Sequence, residues 1–325
     1  MFDWSKQVIL LTGGTGSFGQ KFTETILRKH PPKTLRIYSR DEYKQFEMEK
    51  KYPHKNLRFF IGDVRDEERL RRAMHDVTIV IHAAAMKQIV VSEYNPTEAI
   101  KTNIFGTMNV LNTSINERVD RVLALITDKA VSPINLYGAT KLCAEKLLIQ
   151  GNYYVGKQKT KISCVRYGNV AGSRGSVIPL FMQQKKTGTF TVTDKNMTRF
   201  WITLQEGVDF VLNCLEHMKG REVFIPKMPS FKIVDLVKAI NSDAKIKFIG
   251  IRPGEKVHED LITLHESRNV KIYKNFYVLI NEDHFLKHKN VSKKNTKDFS
   301  YNSGTNNYFL SVKELKFLLR DTLNE

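Results

Sequence analysis

The sequence predicts a doubly wound α/β fold, a parallel sheet covered by helices on both faces, with a smaller mixed C-terminal lobe suited to holding a substrate. Three observations predict it: short apolar runs at regular spacing through the first half, stretches of helix length between them, and a glycine-rich segment directly after the first run. Strands covered on both faces read as continuous apolar runs, and repeated strand, helix, strand implies right-handed crossovers into a parallel sheet.

The predicted strands are residues 8–12, 35–39, 57–62, 77–84, 122–127 and 162–167. Each is short and rich in branched apolar residues, which favours a buried strand over a helix. Past Gly168 the rhythm changes, with Gly172, Gly175, Pro179 and Gly188 punctuating the chain before a helix that Thr203 and Glu206 can open as a capping box. That helix and the apolar run 223–226 are expected to return to the sheet. The first domain is therefore residues 1–170, rejoined by about 200–226, and the second lobe is 171–199 with 227–325. Residues 283–307, rich in Lys, Asn, Ser and His, are expected to form a surface loop or arm.

With 325 residues, 41% hydrophobic and 26% charged, the chain has the composition to bury a large core, which sets disorder aside. No window approaches the roughly 18–20 consecutive apolar residues that span a bilayer, and residues 1–7 lack a basic stretch leading into an apolar one. A cytoplasmic protein with no membrane span is expected. Cys143, Cys164 and Cys214 are far apart, odd in number and set among apolar neighbours, so buried thiols are expected rather than disulfides or a metal site. The net charge of +18 invites nucleic acid, an anionic membrane surface or a phosphorylated small molecule as partner. Lysine and arginine are spread along the chain with no aromatic-interleaved basic motif, so nucleic acid is set aside and a solvated basic surface is expected.

Thr12 to Gly19 reads Thr-Gly-Gly-Thr-Gly-Ser-Phe-Gly, between the first strand and the first helix. Glycines there allow a tight turn and close backbone approach, and the helix N-terminus offers N–H groups to a pyrophosphate, as in a Rossmann dinucleotide site. Gly13, Thr15, Gly16, Ser17, Phe18 and Gly19 are the candidate cradle. About twenty residues on, the second strand ends in Ser39, Arg40, Asp41 and Glu42 with Lys44 nearby. An arginine there favours the 2′-phosphate of NADP, while Asp41 leaves NAD open. Asp63 and Val64 are placed to border the adenine, and Ala84 to let the cofactor lie close to backbone. Asp63 could instead cap the next helix, and the alanines could simply pack tightly.

Tyr137 and Lys141 lie in a helical segment that Asn135 can cap, at the i, i+4 spacing that puts phenol and ammonium on one face. A phenol with pKa near 10 is ionised about once in a thousand molecules at pH 7, and a cation alongside favours the phenolate as a base for a substrate hydroxyl.

The glycine loop with Tyr-x-x-x-Lys resembles the extended short-chain dehydrogenase/reductases. Thr127-Asp128-Lys129-Ala130, the run from Pro133 to Lys141, Arg166-Tyr167-Gly168-Asn169-Val170 and Arg252-Pro253-Gly254-Glu255-Lys256 resemble more narrowly the inverting UDP-N-acetylglucosamine 4,6-dehydratases. The resemblance runs to about residue 265 and implies a UDP-sugar substrate, polysaccharide or pseudaminic acid biosynthesis, and a homo-oligomer, dimer or hexamer. It departs at Ile126, where a serine often stands. Epimerisation needs only hydride removed and returned at C4, whereas dehydration also needs a base at C5 and an acid at O6. The implied roles are Tyr137 as base for the C4 hydroxyl with Lys141 in support, Lys129 as C5 base, Asp128 as acid for the C6 oxygen, and Thr127 as a hydrogen bond to the C4 oxygen. As C5 base, Lys129 is expected to have a depressed pKa. Substrate contacts carried over from the resemblance are Lys87, Asn169, Arg252 and Glu255, with Arg199 a further candidate; any of them could be an ordinary charge. His82 and His258 are read as structural. A nucleotide-sugar epimerase and a non-catalytic NADP-binding protein are the alternatives.

Overall fold

The computed structural model describes residues 2–172, 176–280 and 298–324. Its first half contains strands β1 (Val8–Thr12), β2 (Thr34–Ser39), β3 (Leu57–Ile61), β4 (Ile79–His82), β5 (Arg121–Thr127) and β6 (Lys161–Tyr167). Between them run helices α1 (Ser17–Lys29), α2 (Glu42–Lys51), α3 (Glu67–Met74), α4 (Ile89–Tyr94), α5 (Pro96–Ile100), α6 (Gly106–Asn116) and α7 (Leu136–Gly151). Five of these strands match the sequence reading closely, and the run 77–84 shortens to four paired residues because the chain leaves the sheet at Ala83 to line a cleft.

Further along are α8 (Val177–Gln184), β7 (Thr189–Val192), β8 (Thr198–Phe200), α9 (Leu204–His217), β9 (Glu222–Pro226), β10 (Ser230–Lys232), α10 (Ile233–Ile240), β11 (Lys245–Phe248), β12 (Asp260–Ile262), β13 (Val270–Ile272), β14 (Phe276–Ile280) and β15 (Tyr301–Asn302). A C-terminal helix covers Val312–Asn324. The main sheet has nine strands in the order β13-β14-β9-β6-β5-β4-β1-β2-β3. From β3 to β9 every pairing is parallel, and β14 and β13 add antiparallel at the β9 end. The order reverses between β1 and β4, and such a switch point opens a crevice at the carboxyl ends of the strands.

All five side chains of β1 are buried, and Ile9, Leu10 and Leu11 have no exposed surface. On the covering layers α1 packs against α9, and α6 against α3 and α7. The predicted capping box is present: Glu206 N–H donates to Thr203 Oγ1 at 3.1 Å and Thr203 N–H to Glu206 Oε2 at 2.8 Å. Run 223–226 joins the sheet as β9.

The C-terminal part divides differently from the sequence reading. A separate core of Ile178, Phe181, Phe190, Trp201, Leu236 and Leu315 builds the second lobe. Residues 260–280 and 298–302, expected there, instead supply β13 and β14 to the main sheet and place Leu261, Ile262 and Tyr301 in its core. The short apolar runs of β13 and β14 cover the open edge of β9, which would otherwise leave its backbone groups unpaired. Of the expected arm 283–307, residues 283–297 lie outside the described residues, and 298–307 include β15, paired with β12. Cys164 and Cys214 are buried as expected, but Cys143 is exposed, because α7 turns it away from the buried face that carries Lys141, Ala144 and Glu145. No described helix is long and apolar enough to cross a membrane.

Candidate active site

A cleft of about 1300 Å³ opens at the carboxyl ends of the parallel strands and receives nearly every residue singled out in the sequence. Asp128 and Lys141 do not line it; both are buried beneath it.

The glycine loop forms the floor at the β1 end. Gly13 has φ +67°, and a Cβ there would lie 2.8 Å from the Ala84 backbone nitrogen, so only glycine lets the two strand ends approach. A Cβ on Gly19 would collide with the Gly14 carbonyl, which presses α1 onto the turn. Gly16 caps α1 without any side-chain hydrogen bond, leaving the first N–H groups of the helix facing the cleft with Thr15, Ser17 and Phe18 alongside. Those free donors and the partial positive charge of the helix end suit a diphosphate.

At the end of β2, Gln45 donates to Ser39 O at 2.9 Å, Ser39 Oγ at 3.1 Å and Phe60 O at 3.0 Å, fixing the strand end. Asp41 is committed to capping α2: its Oδ1 accepts from Lys44 N at 3.0 Å and its Oδ2 from Lys44 Nζ at 2.5 Å. Arg40 keeps an exposed guanidinium at the cleft, 3.6 Å from Asp63 Oδ2. Asp63 is not the cap of the next helix; Asp66 takes that place, accepting from Arg69 N at 2.9 Å. The Asp63 carboxylate accepts from Arg65 Nε at 2.9 Å and Nη2 at 2.7 Å. Burial alone would raise its pKa, and the Arg65 hydrogen bonds hold it below the usual carboxylate value. Val64 is buried beside it and lines the cleft. His82, wholly structural as expected, bridges Thr12 Oγ1 at 2.8 Å and Thr107 Oγ1 at 3.0 Å, and burial pushes its pKa down to about 3.

A cluster of charged side chains lies where β5 and β6 end. Lys129 Nζ meets three acceptors: Asn169 Oδ1 at 2.9 Å, Asp128 Oδ1 at 3.1 Å and Glu259 Oε1 at 3.3 Å. Burial favours the neutral amine, but the two carboxylates outweigh it and hold the ammonium well above the ordinary lysine pKa. The expected depression of Lys129 is therefore reversed, since its two carboxylate neighbours outweigh burial and the Arg199 charge. Asp128 has no exposed surface; its Oδ1 also accepts from Thr127 Oγ1 at 2.8 Å, while its Oδ2 is buried without a hydrogen bond.

Asn135 caps α7, accepting from Gly138 N at 2.8 Å, and a Cβ on Gly138 would collide with the Lys129 carbonyl, so α7 seats directly on the Asp128–Ala130 turn. Tyr137 faces the cleft, and burial pushes its phenol up to about 12 against the opposing pull of Lys129 and a hydrogen bond to Thr127. Lys141, expected from its spacing to support the phenol, donates to the Leu125 carbonyl at 2.7 Å, and burial lowers its pKa to about 8.

Arg199 lines the cleft with its donors largely spent: Nη1 on Thr198 O at 2.7 Å and Val257 O at 3.1 Å, Nη2 on Lys256 O at 3.0 Å. It holds the 256–257 backbone and sits 3.7 Å from Glu259. Arg252 and Glu255 form a turn at the rim, tied to α7 by Asn135 Nδ2 donating to Gly254 O at 2.7 Å. Lys87 is exposed at the same cleft.

Glu259 is the principal residue that the sequence reading missed. Only its place four residues beyond Glu255 hinted at it, and its importance comes from a fold that brings it to Lys129. Arg199 and Lys129 face Asp128 and Glu259 in one buried group of two cations and two anions.

A family model described as polysaccharide biosynthesis protein matches residues 9–281. An inverting UDP-N-acetylglucosamine 4,6-dehydratase of Campylobacter jejuni subsp. jejuni is 46% identical over 330 aligned positions, covering 98% of this chain and 99% of that protein. A UDP-glucose 4-epimerase of Rickettsia rickettsii is 43% identical over 279 positions, covering 83% of this chain and 82% of its own. Among solved structures, Pen from Bacillus thuringiensis superposes with a TM-score of 0.90 at 38% identity, covering 99% of each chain.

Proposed function

The chain belongs to the polysaccharide biosynthesis protein family, within the extended short-chain dehydrogenase/reductases, and from that membership we propose that it acts as an inverting UDP-N-acetylglucosamine 4,6-dehydratase. Its product is a UDP-2-acetamido-2,6-dideoxy-4-keto-hexose with inverted C5. The observation that carries this reading is Lys129 set between two buried carboxylates at the floor of the cleft. A C4 epimerase has no use for a second acid and base beside the tyrosine, whereas elimination of water across C5 and C6 needs both.

The chain's own residues divide the work. The uncapped start of α1 and the glycines at 13 and 16 hold a diphosphate, and Ala84 lets a nicotinamide dinucleotide lie against backbone. A bound nicotinamide supplies the hydride acceptor for C4 and later the donor for C6. Arg40, with its guanidinium exposed at the cleft while Asp41 is committed to its helix cap, supports NADP over NAD. Tyr137 takes the O4 proton, with Thr127 placed to hydrogen-bond the same oxygen. Lys129 takes the C5 proton after passing its own to one of the carboxylates it touches, Asp128 or Glu259; the newly protonated carboxyl then releases the C6 oxygen as water. Asn169 aims the amine, while Lys87, Arg252 and Glu255 border the nucleotide sugar. A lyase classification follows from that elimination.

Proton NMR with UDP-N-acetylglucosamine in deuterated water tests the reading. The expected result is a new C6 methyl signal, deuterium at C5 and an L-configured 4-keto product, all lost in Lys129→Ala. Interconversion at C4 with no methyl signal would transfer the chain to the epimerases.

A further inference from the structure

We propose that Asn135 is a positioning residue for the nucleotide: its single amide ties the start of the helix that carries Tyr137 to the turn that carries Arg252 and Glu255. The inference rests on the dehydratase reading, which sets the UDP half of the substrate at that turn, and deepens it.

Asn135 Oδ1 accepts from Gly138 N–H at 2.8 Å while its Nδ2 donates to Gly254 O at 2.7 Å. The two bonds use opposite ends of the amide, because a backbone N–H needs the oxygen and a carbonyl needs the NH2 group. Aspartate, an equally good helix cap, would keep the first bond and have no proton to donate in the second. The contact is close as well as polar. Gly254 has φ +76°, and a Cβ there would stand 3.1 Å from Asn135 Cβ and 3.3 Å from Ile89 Cγ2, so the turn rests its backbone on Asn135 and on the start of α4.

Glu255 N–H donates to Arg252 O at 3.1 Å and closes the turn on itself. Beyond it the chain is held separately: Lys256 Nζ donates to Val131 O at 2.6 Å, and Arg199 holds the carbonyls of Lys256 and Val257 at 3.0 and 3.1 Å. Among the described hydrogen bonds, the tie from residues 252–255 to α7 is therefore the Asn135 amide. Glu255 Oε2 is buried at the cleft without a hydrogen bond among the described residues, and a donor such as a ribose hydroxyl would satisfy it. Tyr137 follows Asn135 by two positions, so one side chain sets the spacing between the base for the sugar and the turn for the nucleotide. Without the tie, a looser turn has to be ordered each time UDP binds, and that cost appears as lost affinity rather than lost chemistry.

Asn135→Asp keeps the cap and loses the tie, whereas Asn135→Ala loses both. Calorimetric titration of UDP into the cofactor-loaded protein, steady-state methyl formation and thermal melting are compared. Asn135→Asp should melt near the wild-type temperature and retain its kcat, while the Kd of UDP and the KM both rise roughly tenfold, the scale of one lost hydrogen bond. Asn135→Ala should show the same weakening together with a lowered melting temperature. A new carboxylate would also repel the diphosphate, and a double-mutant cycle with Arg252→Ala separates the two causes. In that background the tie has little left to position, so the Asn135→Asp penalty should shrink, whereas repulsion would persist in full. Unchanged UDP affinity in Asn135→Asp, a fall in kcat without weaker UDP binding, or equal penalties with and without Arg252 would each overturn the proposal. Arg252→Ala protein that binds UDP as tightly as wild type would take the nucleotide away from the turn, and the proposal with it. Wild-type protein that binds UDP but forms no methyl product would instead sink the dehydratase reading, which the UDP titrations do not depend on.

Discussion

Lys129 Nζ donates to Asn169 Oδ1 at 2.9 Å, a contact that bridges the residues following β5 and β6 at the point where the proton transfers are expected. Asn169 is the uncharged member of the three acceptors, so it directs the amine without fixing its charge. Asn169→Ala should therefore slow elimination by roughly ten- to a hundredfold, the scale on which a misplaced catalytic group costs rate, while C4 oxidation persists. Comparing cofactor reduction with methyl formation in single turnovers checks this; equal losses in the two would show that Asn169 serves binding instead.

Lys141 carries a pKa of about 8 against the ordinary lysine value of 10.5. Between those values the unfolded chain binds more protons than the folded one, so stability contributed at this site rises with pH there. The burden of the buried ammonium is fully present below pH 8 and is relieved towards pH 10.5. Lys141→Met should accordingly stabilise the protein at pH 7, on the order of 2–3 kcal/mol less the lost bond to Leu125, while turnover collapses. Urea unfolding at pH 7 and pH 10 measures the effect, and a gain of equal size at both would refute desolvation of the ammonium as its cause.

Arg40 stands at the cleft with Asp63 as its ion-pair partner at 3.6 Å. Arg40→Ala should weaken NADP binding by roughly ten- to a hundredfold, the worth of a charge-assisted phosphate contact, and leave NAD binding nearly unchanged. Fluorescence titration of both cofactors decides it; parallel losses would show that Arg40 shapes the loop rather than reading a phosphate.

Arg166 is wholly buried and joins α7 to the C-terminal segment: it donates to Glu145 at 2.6 and 3.0 Å, to Glu266 at 3.1 and 3.2 Å, and to Leu261 O at 2.8 Å. Arg166→Met strands two acidic groups and should cost about 3–5 kcal/mol, read as a lowered thermal midpoint. Adding Glu145→Leu should restore part of that loss; a further drop would mean that packing, not charge, dominates at this position.

Most of the parallel half was legible because its strands are covered on both faces: Ile9 to Leu11 must be apolar whichever way they point, so the pattern is visible without knowing the neighbours. The cofactor cradle was legible for a similar reason, since Gly13 and Gly19 answer to local backbone geometry. Charge states were not. Lys129 keeps its proton through its sequence neighbour Asp128 and also through Glu259, 130 positions away, and spacing carries no information about the second contact. Tyr137 and Lys141 share a helix, yet the bond from Lys141 to Leu125 O depends on how α7 seats on β5, which their spacing does not reveal. Cys143 was misread because apolar neighbours in sequence do not fix the rotation of a helix.

The nine-stranded order, in which β9 and then β14 and β13 line up beyond β6, also has a temporal side. As the chain leaves the ribosome, β1 to β6 can pair before any later strand exists, leaving β6 as an apolar edge open to other nascent chains. That edge closes only after residues 222–226 emerge, and the outer strands only after residue 280. Chains truncated between about residues 170 and 220 should therefore aggregate far more readily than chains stopped beyond residue 280, which makes the interval a natural target for chaperone protection during synthesis.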